Sequence, residues 1–209
     1  MNSNPAGTPS PVLKPMPWWA PLRRAAGRVV RGTGRLIDQA LHPLRRRTAR
    51  RRLARLGPQR EVLVLCFGNI CRSPYAAAVL SRMLLGEGRR VEVTQGGFYG
   101  PDRRSPDAAQ EAAAGRGVNL GSHRSRLLTP DGARAATLVV VMETAQAERV
   151  SRELGVSWSR TLVLGDLDPE AIPSRDIADP YGLNRDVFDF TYARIDRCVA
   201  ALVSALPPG

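Results

Sequence analysis

The chain has 209 residues and a formal net charge of +12, from 31 basic and 19 acidic side chains, with three cysteines and two histidines. Lys14 is its single lysine, so beyond that point neither Schiff-base chemistry nor a lysine-dependent Walker phosphate loop is available. Two histidines and three scattered cysteines are too few for a multi-ligand zinc cluster, and neither metal nor cofactor is expected.

The charge is unevenly placed. Residues 1–60 carry fourteen basic side chains and one acid, Asp38, whereas 61–209 carry seventeen basic and eighteen acidic. The expected organisation is a Pro/Arg-rich basic extension over 1–60, disordered or partly helical, followed by a near-neutral domain over 61–209. No apolar run is long enough to span a bilayer, which takes about 18 residues, and no apolar signal-peptide core follows the start. An odd cysteine count without a disulfide framework points to the cytoplasm.

In the extension, Pro5, Pro9, Pro11, Pro15, Pro17 and Pro21 favour an extended segment. From Leu22 an amphipathic helix is predicted, with Leu22, Ala26, Val29, Val30, Thr33, Ile37 and Leu41 at helical spacing and Arg24, Arg28, Arg31 and Arg35 in a separate stripe. Pro43, after His42, is expected to break it. A second arginine run over 45–52 ends at Gly57-Pro58. Together with Trp18 and Trp19, residues 18–56 suit peripheral contact with an anionic membrane. A solvated tail is the other reading, and nucleic acid is not an expected partner because no recognition fold accompanies the charge.

The domain alternates strands and helices. Strands are predicted over 62–65, 91–94, 137–142 and 161–164. Helices are predicted over 74–85 (Pro74 in the first turn), 105–116, 144–154 and 185–206, the last with Val187, Phe190, Ile195, Val199 and Leu202 toward the core. Near-continuous apolar strands between helices indicate an α/β fold, a four-stranded parallel sheet with helices on both faces.

At the carboxyl end of the first strand lies Cys66-Phe67-Gly68-Asn69-Ile70-Cys71-Arg72-Ser73-Pro74, where open parallel sheets bind ligands. A cysteine, five residues and an arginine entering a helix can close into a cradle of backbone N–H groups at a helix N-terminus, suited to a tetrahedral oxyanion. Arg72 can clamp two of its oxygens, the same field stabilises a Cys66 thiolate, and Ser73 can donate to the sulfur.

This run, with Ser122-His123-Arg124-Ser125, Met142 after an apolar strand and Asp179-Pro180-Tyr181 before the last helix, resembles the low-molecular-weight protein tyrosine phosphatases over roughly 61–205. The resemblance implies hydrolysis of phosphotyrosine through a cysteinyl-phosphate, with Cys66 as nucleophile, Arg72 as phosphate clamp and Asp179 as general acid and then base. It implies a phosphate-binding loop of Phe67, Gly68, Asn69, Ile70, Cys71, Arg72 and Ser73, with Tyr181 as an aromatic wall. Asn69, Ser73 and His123 would support that loop, and Cys71 would be a redox partner for Cys66. Simpler readings exist: Asp179 as a turn former, His123 as a purely structural group, Cys71 and Cys198 as core packing, and Asp176 as a fallback acid.

Two positions depart from the family pattern: Ala77 stands in an opening helical turn that often holds a glutamate, and Gln95 where a serine is common. Ile70 stands where the family's protein-arginine phosphatases carry threonine, and the mid-domain cysteines of arsenate reductases are missing. A protein-arginine phosphatase, or a weakly active phosphotyrosine-binding module tethered by its basic leader, are the alternatives. The expected partner is a phosphotyrosine-containing protein, such as the bacterial tyrosine autokinases that family members oppose, and the expected location is cytoplasmic or membrane-peripheral.

Overall fold

The computed structural model describes residues 20–57 and 61–207, with side chains from residue 36 onward. The tryptophan pair and the paired stripes over 22–35 lie outside the residues whose side chains are described. Strands β1 (Glu61–Cys66), β2 (Glu92–Gly97), β3 (Leu138–Val141) and β4 (Thr161–Val163) form one parallel sheet in the order β2-β1-β3-β4. Around it lie α1 (Ala20–Leu53), α2 (Arg72–Gly86), α3 (Asp107–Ala114), α4 (Pro130–Ala135), α5 (Thr144–Leu154) and α6 (Arg185–Ala205).

Strands β1, β3 and β4 are largely apolar because both faces are covered, whereas edge strand β2 is mostly polar or glycine. With a side-chain period of two, Val62, Val64 and Cys66 join Leu138, Val140 and Met142 on one face, against Leu80 and Leu84 of α2 and Phe188, Ile195 and Leu202 of α6. Leu63, Leu65, Val139, Val141 and Val163 point to the other face, against Ala133 of α4 and Ala147 and Val150 of α5. Each large side chain so buried contributes about 1.5–3 kcal/mol. Strand β1 is central, so its carboxyl end opens between the two helical layers.

Three details differ from the sequence-based expectation. Helix α4 was not anticipated, although Pro130 stands in its first turn and Thr129 Oγ1 accepts from Gly132 N at 3.2 Å. Phe190 is 68% exposed rather than in the core, because the buried stripe of α6 runs through Phe188, Tyr192, Ile195, Val199 and Leu202, on the opposite side of the helix. Pro43 does not end α1, which continues to Leu53.

That continuation has a tertiary cause. On one side of Pro43, buried His42 donates from Nε2 to Asp168 O at 2.9 Å. On the other side Ala49 and Leu53 enter the main core, and Arg52 donates to Trp158 O at 2.9 Å and Thr161 O at 2.7 Å. These contacts offset the lost backbone bond and ring crowding, a penalty of roughly 3 kcal/mol.

Candidate active site

The loop from β1 into α2 folds back under its own side chains. Asn69 adopts φ of +50°, the left-handed region that asparagine tolerates better than most residues, and is fully buried. Its amide holds that conformation from three directions. Asn69 Nδ2 donates to Ser73 Oγ at 2.8 Å and to Gln95 Oε1 at 3.0 Å, while Oδ1 accepts from Arg126 N at 2.8 Å. Gly97, at the end of β2, permits the close approach. A Cβ there would fall 2.8 Å from Asn69 N and 2.9 Å from Phe67 O, both backbone atoms.

Ser73 Oγ lies 3.1 Å from Cys66 Sγ. Because it already accepts from Asn69, its one proton is free to point at the sulfur, which is nearer than the alternative acceptor Gly96 O at 3.5 Å. Beneath the loop, His123 Nε2 donates to Asn69 O at 2.7 Å, so that nitrogen carries the proton. Burial holds His123 below the ordinary histidine range, and Arg126 and Arg124 add to this, against the bond to Asn69 O. Gln95 Nε2 sits 3.5 Å from His123 Nδ1 while its Oε1 receives Asn69. The residue that departs from the family pattern therefore links both loop supports. Ala77, the other departure, is packed in the core.

Arg72 is fully buried at the start of α2. Its Nη2 donates to Asp179 Oδ2 at 2.6 Å, and its Nη1 to Ile177 O at 2.7 Å and to Glu143 Oε1. Burial opposes its charge, but Cys66, Asp179 and Glu143 outweigh that and raise its pKa. Its Nε is buried without a protein partner. A guanidinium so held, with one uncommitted donor, suits an anion carrying several oxygens.

Cys66, Phe67, Gly68, Ile70, Cys71, Asp179 and Tyr181 line one cleft of about 310 Å³, with Tyr99 and Arg103 at its mouth. Its walls are aromatic: Phe67 stacks on Tyr99 at 5.9 Å, and Tyr181 is 57% exposed. Arg103 lies over the Tyr99 and Tyr181 rings at 5.3 and 5.9 Å. The Cys71 thiol is buried, and burial, helped by the charges of Asp179 and Cys66, pushes its pKa well above the ordinary value. Tyr192 OH donates to Cys71 O at 3.1 Å, tying α6 to the loop. Among the described residues no cluster of side chains could hold a metal ion.

Of the residues singled out in the sequence, Cys66, Phe67, Gly68, Ile70, Cys71, Asp179 and Tyr181 line this cleft, while Asn69, Ser73 and His123 bond to its loop and Arg72 to Asp179. Asp176 does not line the cleft. Its Oδ1 instead accepts from Thr144 N and Oγ1, both at 2.8 Å, capping α5. Cys198 is buried in the core and does not line the cleft. Sequence reasoning missed Glu143, Tyr99 and Arg103. Glu143 had one available signal, its place directly after the apolar strand that ends at Met142, where parallel sheets present ligand-facing groups.

Residues 61–207 match the family described as low molecular weight phosphotyrosine protein phosphatase. The chain is 33% identical over 138 residues to the low molecular weight protein-tyrosine-phosphatase Etp of Escherichia coli K12, covering 66% of this chain and 88% of that protein. The crystal structure of the Erwinia amylovora tyrosine phosphatase AmsI superposes with a TM-score of 0.64 at 28% identity, covering 72% of this chain and 95% of AmsI. The YwlE arginine phosphatase of Geobacillus stearothermophilus superposes with a TM-score of 0.61 at 25% identity, covering 69% and 91%.

Proposed function

The chain belongs to the low molecular weight phosphotyrosine protein phosphatase family and is a protein-tyrosine-phosphatase; from that premise we propose the roles of its individual residues. Cys66 Sγ attacks phosphorus in line as the bond to the phenolic oxygen breaks, and Asp179 gives that oxygen its proton. Asp179 then takes a proton from water, which attacks the cysteinyl-phosphate, releasing inorganic phosphate and the thiolate. Arg72 and the loop amides hold the equatorial oxygens through both steps. Ser73, ordered by Asn69, donates to the sulfur as it leaves.

One observation supports this assignment above the rest: Cys66 and Asp179 line the same cleft, and Arg72, fully buried, donates to the Asp179 carboxylate at 2.6 Å. The test is turnover of p-nitrophenyl phosphate with a chelator present. Wild type should be active, and Cys66→Ser and Arg72→Ala should lose essentially all activity. Asp179→Ala should fall by about 10²-fold or more with phenyl phosphate, and less with the better nitrophenolate leaving group. An inactive wild type would overturn the assignment and favour the binding-module reading.

The arginine phosphatase reading has the structural neighbour YwlE in its favour. Ile70, buried and lining the cleft, weighs against it, since it offers an aromatic ring apolar contact and a guanidinium no hydrogen bond. A phosphotyrosine peptide should therefore be hydrolysed faster than a phosphoarginine peptide, and the reverse order would reject this choice.

The partner we propose is a cytoplasmic phosphotyrosine protein such as a tyrosine autokinase. Peripheral membrane contact is proposed for α1. Leu36, Ile37, Leu41 and Leu44 are exposed along it, followed by Arg47 and Arg51 on the outward side. Among the described residues no helix is long and apolar enough to cross a membrane. Cosedimentation with phosphatidylglycerol vesicles should occur for the full chain and be lost in Ile37→Ser/Leu44→Ser; equal binding by that variant would reject the contact.

A further inference from the structure

Helix α1 lies wholly outside the 61–207 segment that matches the family, yet it is fastened to the loop that carries Asp179. The fastening begins at the base of that loop. Buried His42 donates from Nε2 to Asp168 O at 2.9 Å. The carboxylate of Asp168, fully buried, accepts from Arg194 Nε at 2.9 Å and from Arg197 Nε at 2.7 Å. Four residues before Asp179, Arg175 N donates to Asp38 Oδ2 at 3.4 Å, and Arg45 fixes Asp38 through Oδ1 at 2.6 Å.

From Ser174 to Ile177 the loop is pinned at every residue. Arg175 Nε donates to Asp166 Oδ1 at 2.9 Å, and the backbone there is so close that a Cβ on Gly165 would lie 2.0 Å from Arg175 O. Arg194 donates to Ser174 O at 2.7 Å and to Asp176 O at 2.9 Å. Ile177 N donates to Met142 O at 2.9 Å, and Ile177 O accepts from Arg72. An unbroken run of contacts thus leads from one face of α1 to the acid, ending at the guanidinium beside Cys66.

We propose that the docked part of α1 is a brace that sets the position of Asp179 over the cleft, with Asp38 and His42 as its positioning residues. The proposal rests on Asp179 being the general acid. The brace acts on geometry alone. Proton transfer to the leaving oxygen requires Asp179 within hydrogen-bond reach, and small displacements of such a group are costly in rate. Ile177 O touches the cradle through Arg72, but the cradle from Cys66 to Ser73 is also held from other directions, by β2, His123 and Tyr192, and Arg72 by Glu143 as well, so losing the brace should leave anion binding intact.

The test compares full-length wild type, Asp38→Ala, His42→Ala, His42→Gln and Asp179→Ala. The readouts are kcat/KM for phenyl phosphate and p-nitrophenyl phosphate, and the inhibition constant of inorganic phosphate. Asp38→Ala and His42→Ala should lose about tenfold with phenyl phosphate, which needs the acid, and less than about twofold with p-nitrophenyl phosphate. Their phosphate inhibition should stay within about twofold of wild type, as a cradle held independently requires. His42→Gln, which keeps an N–H donor at similar reach, should recover most of the loss. Should His42→Ala not fold, Asp38→Ala, whose side chain is partly exposed, supports the same comparison. A leaving-group effect in Asp179→Ala without one in the brace variants, or equal losses on both esters, overturns the brace alone. Its absence from Asp179→Ala overturns the acid assignment and the brace together.

Discussion

Asn69 concentrates the structural demands of the phosphate loop in one side chain. Replacing it with glycine keeps the +50° φ accessible but removes three hydrogen bonds, to Ser73, Gln95 and Arg126. At about 1 kcal/mol each, with Gln95 and Arg126 regaining some solvent contact, the loss should be about 2–3 kcal/mol. Alanine loses the same bonds and also bears the left-handed penalty, adding about 1 kcal/mol. Urea unfolding of wild type, Asn69→Gly and Asn69→Ala reads these terms directly. Activity provides a second reading, because freeing Ser73 from Asn69 releases the hydroxyl from its fixed aim at Cys66. Both variants should show kcat for p-nitrophenyl phosphate reduced about tenfold or more, the loss of one charge-assisted hydrogen bond to the sulfur. Glycine and alanine variants of equal stability would refute the backbone argument. Near-wild-type kcat in both would refute the role given to Ser73.

Acid stability should follow His123. Folding holds its pKa below the ordinary value of about 6.5, so below that pH the unfolded chain binds the extra proton. Its contribution is complete above the ordinary value and lost as pH falls through the lowered one; unfolding free energy should decline there, and His123→Asn should flatten the decline. A profile identical in the variant would contradict this. Peroxide exposure tests Cys71: oxidation of Cys66 to the sulfenic acid, then attack by the Cys71 sulfur with release of water, gives a disulfide that thiols reverse. Dithiothreitol should restore wild type after peroxide but restore much less of the initial rate in Cys71→Ser. Equal recovery would leave Cys71 a packing residue.

The phosphate loop was legible in sequence because its chemistry is contiguous. Cys66, Asn69, Arg72 and Ser73 fall within one strand-to-helix turn, and the order of the chain puts that turn at the carboxyl end of β1. Asp179 was legible only through the family pattern around it. Tyr99 and Arg103 were not, since both reach the cleft from the loop between β2 and α3, where no local pattern marks them, and Glu143, which bonds Arg72, was marked only by its place after the strand that ends at Met142. Gln95 read as a departure from the family and proved to be a link between Asn69 and His123, a role visible only when β2 is placed beside β1. Phe190 was misplaced because α6 offers two apolar stripes, and packing against α2 selects the one through Phe188 and Tyr192. Pro43 was read from local propensity, which the anchors at His42 and Leu53 override.

The mechanism depends on a covalent phosphoryl group passing through one sulfur. Acid quenching during turnover of a phosphotyrosine peptide, followed by digestion and mass spectrometry, shows where the phosphoryl group resides. The predicted result is a single phosphorylated peptide containing Cys66, lost in Cys66→Ala. Steady turnover with no phosphorylated peptide, or with the phosphoryl group on another residue, would contradict the mechanism at its centre.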